Sequence, residues 1–99
     1  MAYSFEQIKN YLTEILEKYC EPELSLWIDG QEYMIILYDN FCSFQKIEAE
    51  IEVMKFASLD ELYSAKVHDG IVLKNDWDKI TKLECLSFDY LNLPSEIPF

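Results

Sequence analysis

The sequence predicts an α+β fold: an antiparallel β-meander with a long N-terminal helix packed on one face and short C-terminal helices. Three observations lead there. An apolar stripe at helical spacing opens on a capping pattern, a two-residue turn joins two alternating strands, and a second capping pattern follows further alternation. The 99 residues read as one domain, 1–99, with 92–99 an extended C-terminal tail.

The first element is a helix. Ser4 and Gln7 form a capping-box pair, flanked by Tyr3 and Ile8 as a hydrophobic staple. Phe5, Ile8, Leu12, Ile15, Leu16 and Tyr19 then recur at helical spacing. Pro22 disfavours helical geometry at Glu21, which ends the helix near Cys20.

A hairpin follows. Leu24, Leu26 and Ile28 alternate with polar residues and Trp27, and Asp29-Gly30 supplies the left-handed dihedrals of a two-residue turn. That turn sets Leu26 opposite Tyr33 and Leu24 opposite Ile35. Asp39-Asn40 is a weaker turn signal that leads into a third strand, Phe41 to Gln45. Lys46 to Phe56 carries two patterns. Phe44, Ile47, Ile51 and Met54 fit a heptad, but strict alternation and β-branched residues favour a strand. Phe44 and Ile47 have opposite parity, so a bulge or tight turn belongs between them.

Ser58 and Glu61 open a short helix through Leu59, Leu62, Tyr63 and Val67, closed by His68-Asp69-Gly70. Asn75 is the expected N-cap of a further helical turn through Trp77 and Ile80. Leu86, Phe88 and Tyr90 alternate as a last strand, and Pro94 and Pro98 mark the tail as loop.

Charge narrows the function. Nineteen acidic residues face eight lysines, arginine is absent, and the net charge is −11. With 51% apolar residues the chain is a folded domain rather than an acidic disordered tail. Such a field repels nucleic acid and anionic membranes and speeds encounter with basic proteins. Direct nucleic-acid binding and membrane binding are therefore not expected. The N-terminus shows no secretory signal, and no run reaches the roughly 18 apolar residues of a membrane helix. Three widely spaced cysteines, Cys20, Cys42 and Cys85, suit reduced thiols and a cytoplasmic location.

Two constellations are candidate partner-binding sites. With Leu24, Leu26 and Tyr33 on one sheet face, Trp27, Met34, Ile36, Tyr38 and Phe41 point to the other. A two-faced apolar sheet either carries a second layer, for which the C-terminal elements are the candidates, or presents an interface rich in anchor residues. On a strand, Glu48, Glu50 and Glu52 would project from one face about 7 Å apart, near the spacing of successive phosphates, so the row could occupy a nucleic-acid groove. The plainer reading is a solvated strand face with protective charge. Catalytic signals are weak, and no cofactor or metal is expected. His68 suits a helix end, Asp76 and Asp78 suit a helix's first turn, and no glycine-rich phosphate loop occurs.

Ile28-Asp29-Gly30-Gln31-Glu32-Tyr33-Met34-Ile35-Ile36 and Ser58 to Tyr63, running on to Asp76-Trp77-Asp78-Lys79-Ile80, lie within a span from Ile28 to Ile80 that is about half the chain. These stretches resemble small uncharacterised acidic proteins of low-GC Gram-positive bacteria and their phages or mobile elements. The shared patterns are turns and core positions, so the resemblance transfers no site residue. It implies a context in which small acidic proteins resemble anti-CRISPR or other anti-defence inhibitors. The expected function is thus an acidic inhibitor that docks on a basic surface of a nucleic-acid-handling protein. Trp27, Tyr38 and Phe41 would anchor it, and Glu48, Glu50 and Glu52 would supply charge. The alternatives are an immunity protein neutralising a cationic toxin nuclease, or a small metal-dependent hydrolase using His68, Asp69, Asp76 or Asp78.

Overall fold

The computed structural model describes residues 3–99 and is α+β. Its first helix, α1 (Phe5–Lys18), starts as its cap pattern requires. Ser4 Oγ accepts from the Gln7 amide at 3.1 Å, and Gln7 Oε1 accepts from the Ser4 amide at 2.9 Å. At 14 residues α1 is of ordinary rather than great length, about 21 Å at 1.5 Å per residue. Phe5, Ile8, Leu12 and Ile15 form its buried stripe.

Six strands follow: β1 (Glu23–Ile28), β2 (Gln31–Leu37), β3 (Cys42–Lys46), β4 (Met54–Phe56), β5 (Ile80–Glu84) and β6 (Glu96–Pro98). They form one antiparallel sheet in the order β4-β3-β2-β1-β5-β6. The first four make the meander. Asp29 (φ 52) and Gly30 (φ 77) both take positive φ, which fits the turn to the strand twist. The expected pairs Leu26–Tyr33 and Leu24–Ile35 form.

Between β4 and β5 the chain crosses the sheet through α2 (Leu59–Ser64), a 3₁₀ turn at His68–Gly70, α3 (Leu73–Asp76) and a 3₁₀ turn at Trp77–Lys79. It then joins β5 beside β1 rather than beside β4. Phe5 stacks on Tyr63 at 3.9 Å and meets Trp77 edge-on, while Tyr11 meets Phe88, so these segments roof the same face as α1. One core cluster holds their apolar residues together with Leu24, Leu26, Ile35, Phe44 and Leu83. Among the described residues, no helix is long and apolar enough to cross a membrane.

Five expectations are corrected. Lys46 to Phe56 is not a continuous strand: β3 ends at Lys46, Glu48 turns at φ 62, and only Met54–Phe56 pairs again. The opposite parity of Phe44 and Ile47 marked this turn. The Ser58-capped helix stops at Ser64 rather than Val67, although Ser58 Oγ does accept from the Glu61 amide at 3.1 Å. Asn75 lies inside α3 rather than at its cap. Asp76 instead folds back to accept from the Val72 amide at 2.9 Å.

Leu86, Phe88 and Tyr90 form no strand. They belong to a 3₁₀ segment, Leu86–Leu91, in which Phe88 is buried while Leu86 and Tyr90 stay exposed. The strand is the preceding segment, Ile80–Glu84. The tail supplies β6, where Pro98 is tolerated on the sheet's outer edge.

Candidate docking face

Directly opposed residues of an antiparallel pair share a face, so the register fixes what lies opposite the core. Trp27 stands beside Glu32 on β2 and Lys82 on β5; Ser25 stands between Met34 and Glu84. Ile36 lies between Glu23 and Ser43, and Ser43 pairs onward with Lys55. Glu84 pairs with Glu96 at the far edge. Trp27, Met34 and Ile36 are half-buried and lie outside the core cluster. Among the described residues no helix roofs them. Of the two readings of the second face, the one in which the C-terminal elements cover it is not met among the described residues.

Each apolar group on this face has polar company. The Lys82 ammonium sits 4.1 Å from the centre of the Trp27 ring, within cation–π range. It also lies 3.8 Å from a Glu96 carboxylate oxygen. Four carboxylates, Glu23, Glu32, Glu84 and Glu96, share the face with two lysines, Lys55 and Lys82. At one end a cleft bordered by Ser25, Met34 and Leu86 is rimmed by Glu21, Glu23 and Glu84. Leu86 is 79% exposed, the most accessible large apolar side chain here.

The anchors named from sequence separate. Glu32 O accepts from the Ile47 amide at 3.0 Å, and Gln31 Nε2 donates to Ile47 O at 2.9 Å. These bonds start the loop carrying Glu48, Glu50 and Glu52 beside the strand end where Trp27 meets Glu32. The three glutamates are exposed, as are Ile51 and Val53 between and after them. They form a loop cluster, not a strand row with phosphate spacing. Tyr38 and Phe41 stack on each other at 4.5 Å across the β2–β3 turn. That turn lies six residues along from Glu32, about 20 Å away at 3.4 Å per residue. Trp27 and the glutamate loop thus share one end of the sheet, and Tyr38 with Phe41 marks the other.

Glu23 and Glu32 were readable from hairpin parity, since they share the parity of Trp27 and Met34. Lys82, Glu84 and Glu96 were not, because β5 and β6 carry no regular alternation.

Of the residues of the enzyme alternative, Asp69 and Asp76 are engaged in local contacts. Tyr33 donates to Asp69 Oδ2 at 2.5 Å, and Lys46 pairs with the same carboxylate at 3.0 Å. Burial, then the Asp69 carboxylate, holds the Tyr33 phenol above its usual range; the Tyr33 hydroxyl, then Lys46, holds Asp69 below the usual carboxylate range. Asp76 is lowered first by the Val72 amide and then by Lys79, 3.0 Å away. Asp78 is exposed. His68 is buried against Phe44, with Nε2 lacking a hydrogen-bond partner. Among the described residues no three His, Cys, Asp or Glu side chains converge as a metal would need. Burial pushes the Cys42 and Cys85 thiols up to about 11, away from thiolate chemistry at neutral pH.

Comparison with protein-family models, curated proteins and solved structures finds no match to this chain.

Proposed function

We propose that this chain is a binding protein that docks on a basic surface of a nucleic-acid-handling protein and blocks it. The observation that carries the reading is the unroofed sheet face, with Trp27, Met34 and Ile36 set among four carboxylates on a chain of net charge −11. Trp is among the residue types enriched at interface hot spots, and a carboxylate surround selects against acidic partners. Glu48, Glu50 and Glu52 add exposed charge beside Trp27. Their part is long-range attraction rather than imitation of a phosphate row. An anti-CRISPR-type or other anti-defence inhibitor is the most concrete form of the proposal, supported by the resemblance of Ile28–Ile36 and Ser58–Ile80 to small acidic proteins of phages and mobile elements.

The test begins with capture of a partner from host extract on the immobilised protein, followed by association kinetics at several salt concentrations. The expected partner is basic, and its association slows as salt rises. An acidic partner, or salt-independent association, would overturn the reading.

A further inference from the structure

We propose that the groove between α1, the β2–β3 turn and the β4–α2 loop is a second docking site, which takes an arginine-bearing apolar peptide segment of a partner protein. It shares with the open-face reading the basic character of the partner and the neighbouring Lys55, and it lies at the opposite end of β2 from Trp27. The groove has a volume of about 580 Å³, within the range of small-ligand clefts. Leu16, Leu37 and Leu59 give it apolar lining, and the stacked Tyr38–Phe41 pair contributes two half-buried aromatic rings.

Its charges are carboxylates: Glu17, Asp39 and Asp60, all exposed. The lysine that lines the groove, Lys9, is already engaged. Its ammonium lies 3.1 Å from Asp60 and 3.3 Å from Glu6. A carboxylate excess therefore remains for a ligand. The Phe41 ring also accepts a cation in the folded chain, with the Lys55 ammonium 5.5 Å from its centre.

An apolar lining with acidic side chains suits a group with an apolar stem and a cationic head. Arginine fits better than lysine because a guanidinium can stack on an aromatic face while its fork meets a carboxylate. Lys9 competes for the same Asp60 oxygens, so the groove would bind more tightly without it.

The test is an amide NMR titration of the intact protein with two acetylated, amidated hexapeptides, one alternating leucine with arginine and one alternating leucine with glutamine. The arginine peptide is expected to give saturable shifts at Tyr38–Phe41 and Ala57–Asp60, with Trp27 and Met34 unmoved. Asp60→Asn should weaken binding roughly two- to fivefold, the factor an exposed charge pair carries. Lys9→Gln should strengthen it, and Trp27→Ala should leave it unchanged. Equal binding of the glutamine peptide, shifts confined to Trp27 and Met34, or no saturable shift would overturn the groove. Peptide binding that survives Trp27→Ala separates this site from the open face, whose own failure would appear only with the captured partner.

Discussion

The two faces of the sheet both carry apolar side chains at alternate positions, yet among the described residues only one has a roof. On the covered face, Leu24, Leu26, Tyr33, Ile35, Phe44 and Leu83 are apolar neighbours across four adjacent strands. On the open face, Trp27 meets Glu32 and Lys82, Ile36 meets Glu23 and Ser43, and Met34 meets Ser25 and Gln45. A helix laid there would desolvate carboxylates and lysines along with three apolar groups, at a cost that burial of those groups would not offset. Alternation along one strand therefore does not define a core face. Its cross-strand neighbours do.

The largest expected effect tests the roof. Ile15→Ala or Leu12→Ala removes fully buried atoms beneath α1 and should cost about 2–5 kcal/mol in denaturant unfolding. Ile36→Ala on the open face should cost much less, about 1 kcal/mol. Equal costs would mean that the second face is packed after all.

Next comes the open face as an interface. Trp27→Ala should weaken binding to a captured basic partner by about 2 kcal/mol or more, mainly through faster dissociation, while circular dichroism stays native. A variant that binds normally would remove Trp27 from the interface.

The covered side also has an electrostatic rim, which pH can probe. Asp69 is held below its ordinary carboxylate range by Tyr33 and Lys46, so it stabilises the fold above the unfolded-state value near about pH 4. That contribution is lost as pH falls through the lowered folded value. Asp69→Asn should therefore be less stable than the parent at pH 7, and the two should converge in stronger acid. Asparagine tolerates the left-handed backbone at this position, φ 60, so the comparison isolates the charge. A gap that persists unchanged into strong acid would contradict the Tyr33–Asp69–Lys46 assignment.

The smallest stability effect belongs to the glutamate loop. Changing Glu48, Glu50 and Glu52 together to Gln should move folding stability by no more than about 0.5 kcal/mol. It should nevertheless slow association with a basic partner and flatten its salt dependence. Unchanged association at low salt would leave these residues as solvated charge alone.

The N-terminal half was legible because its signals are local. A capping box, an Asp29-Gly30 turn and clean alternation each act within a few residues, and the strand pairing follows from them. The later elements depend on distant partners. Ile80 and Leu83 are three apart, a helical spacing, yet both face the core. Trp27 pairs with Lys82 and Ile28 with Ile80, leaving Thr81 as the extra residue of a bulge. Nothing near Ile80 in the sequence announces that bulge. Leu86, Phe88 and Tyr90 alternate as a strand would, but a 3₁₀ segment buries only Phe88. The Glu48–Glu52 alternation likewise stays a loop, because β4 pairs with β3 only from Met54 onward.

For the candidate site, hairpin parity revealed Trp27 and its open neighbours. It did not reveal that Tyr38 and Phe41 stack at the other end, because the chain leaves regular strand geometry at Leu37.

In the proposed complex a partner covers the Trp27 face of the sheet. Hydroxyl-radical footprinting of the chain, free and bound to its captured partner, tests it most directly, because Trp and Met side chains report their own exposure. Trp27 and Met34 should become protected on binding. Trp77, whose Nε1 donates to Tyr3 O at 2.9 Å on the roofed side, and Met54, packed against the core, should keep their free-state reactivity. Trp27 and Met34 remaining as reactive in the complex as in the free protein would contradict it.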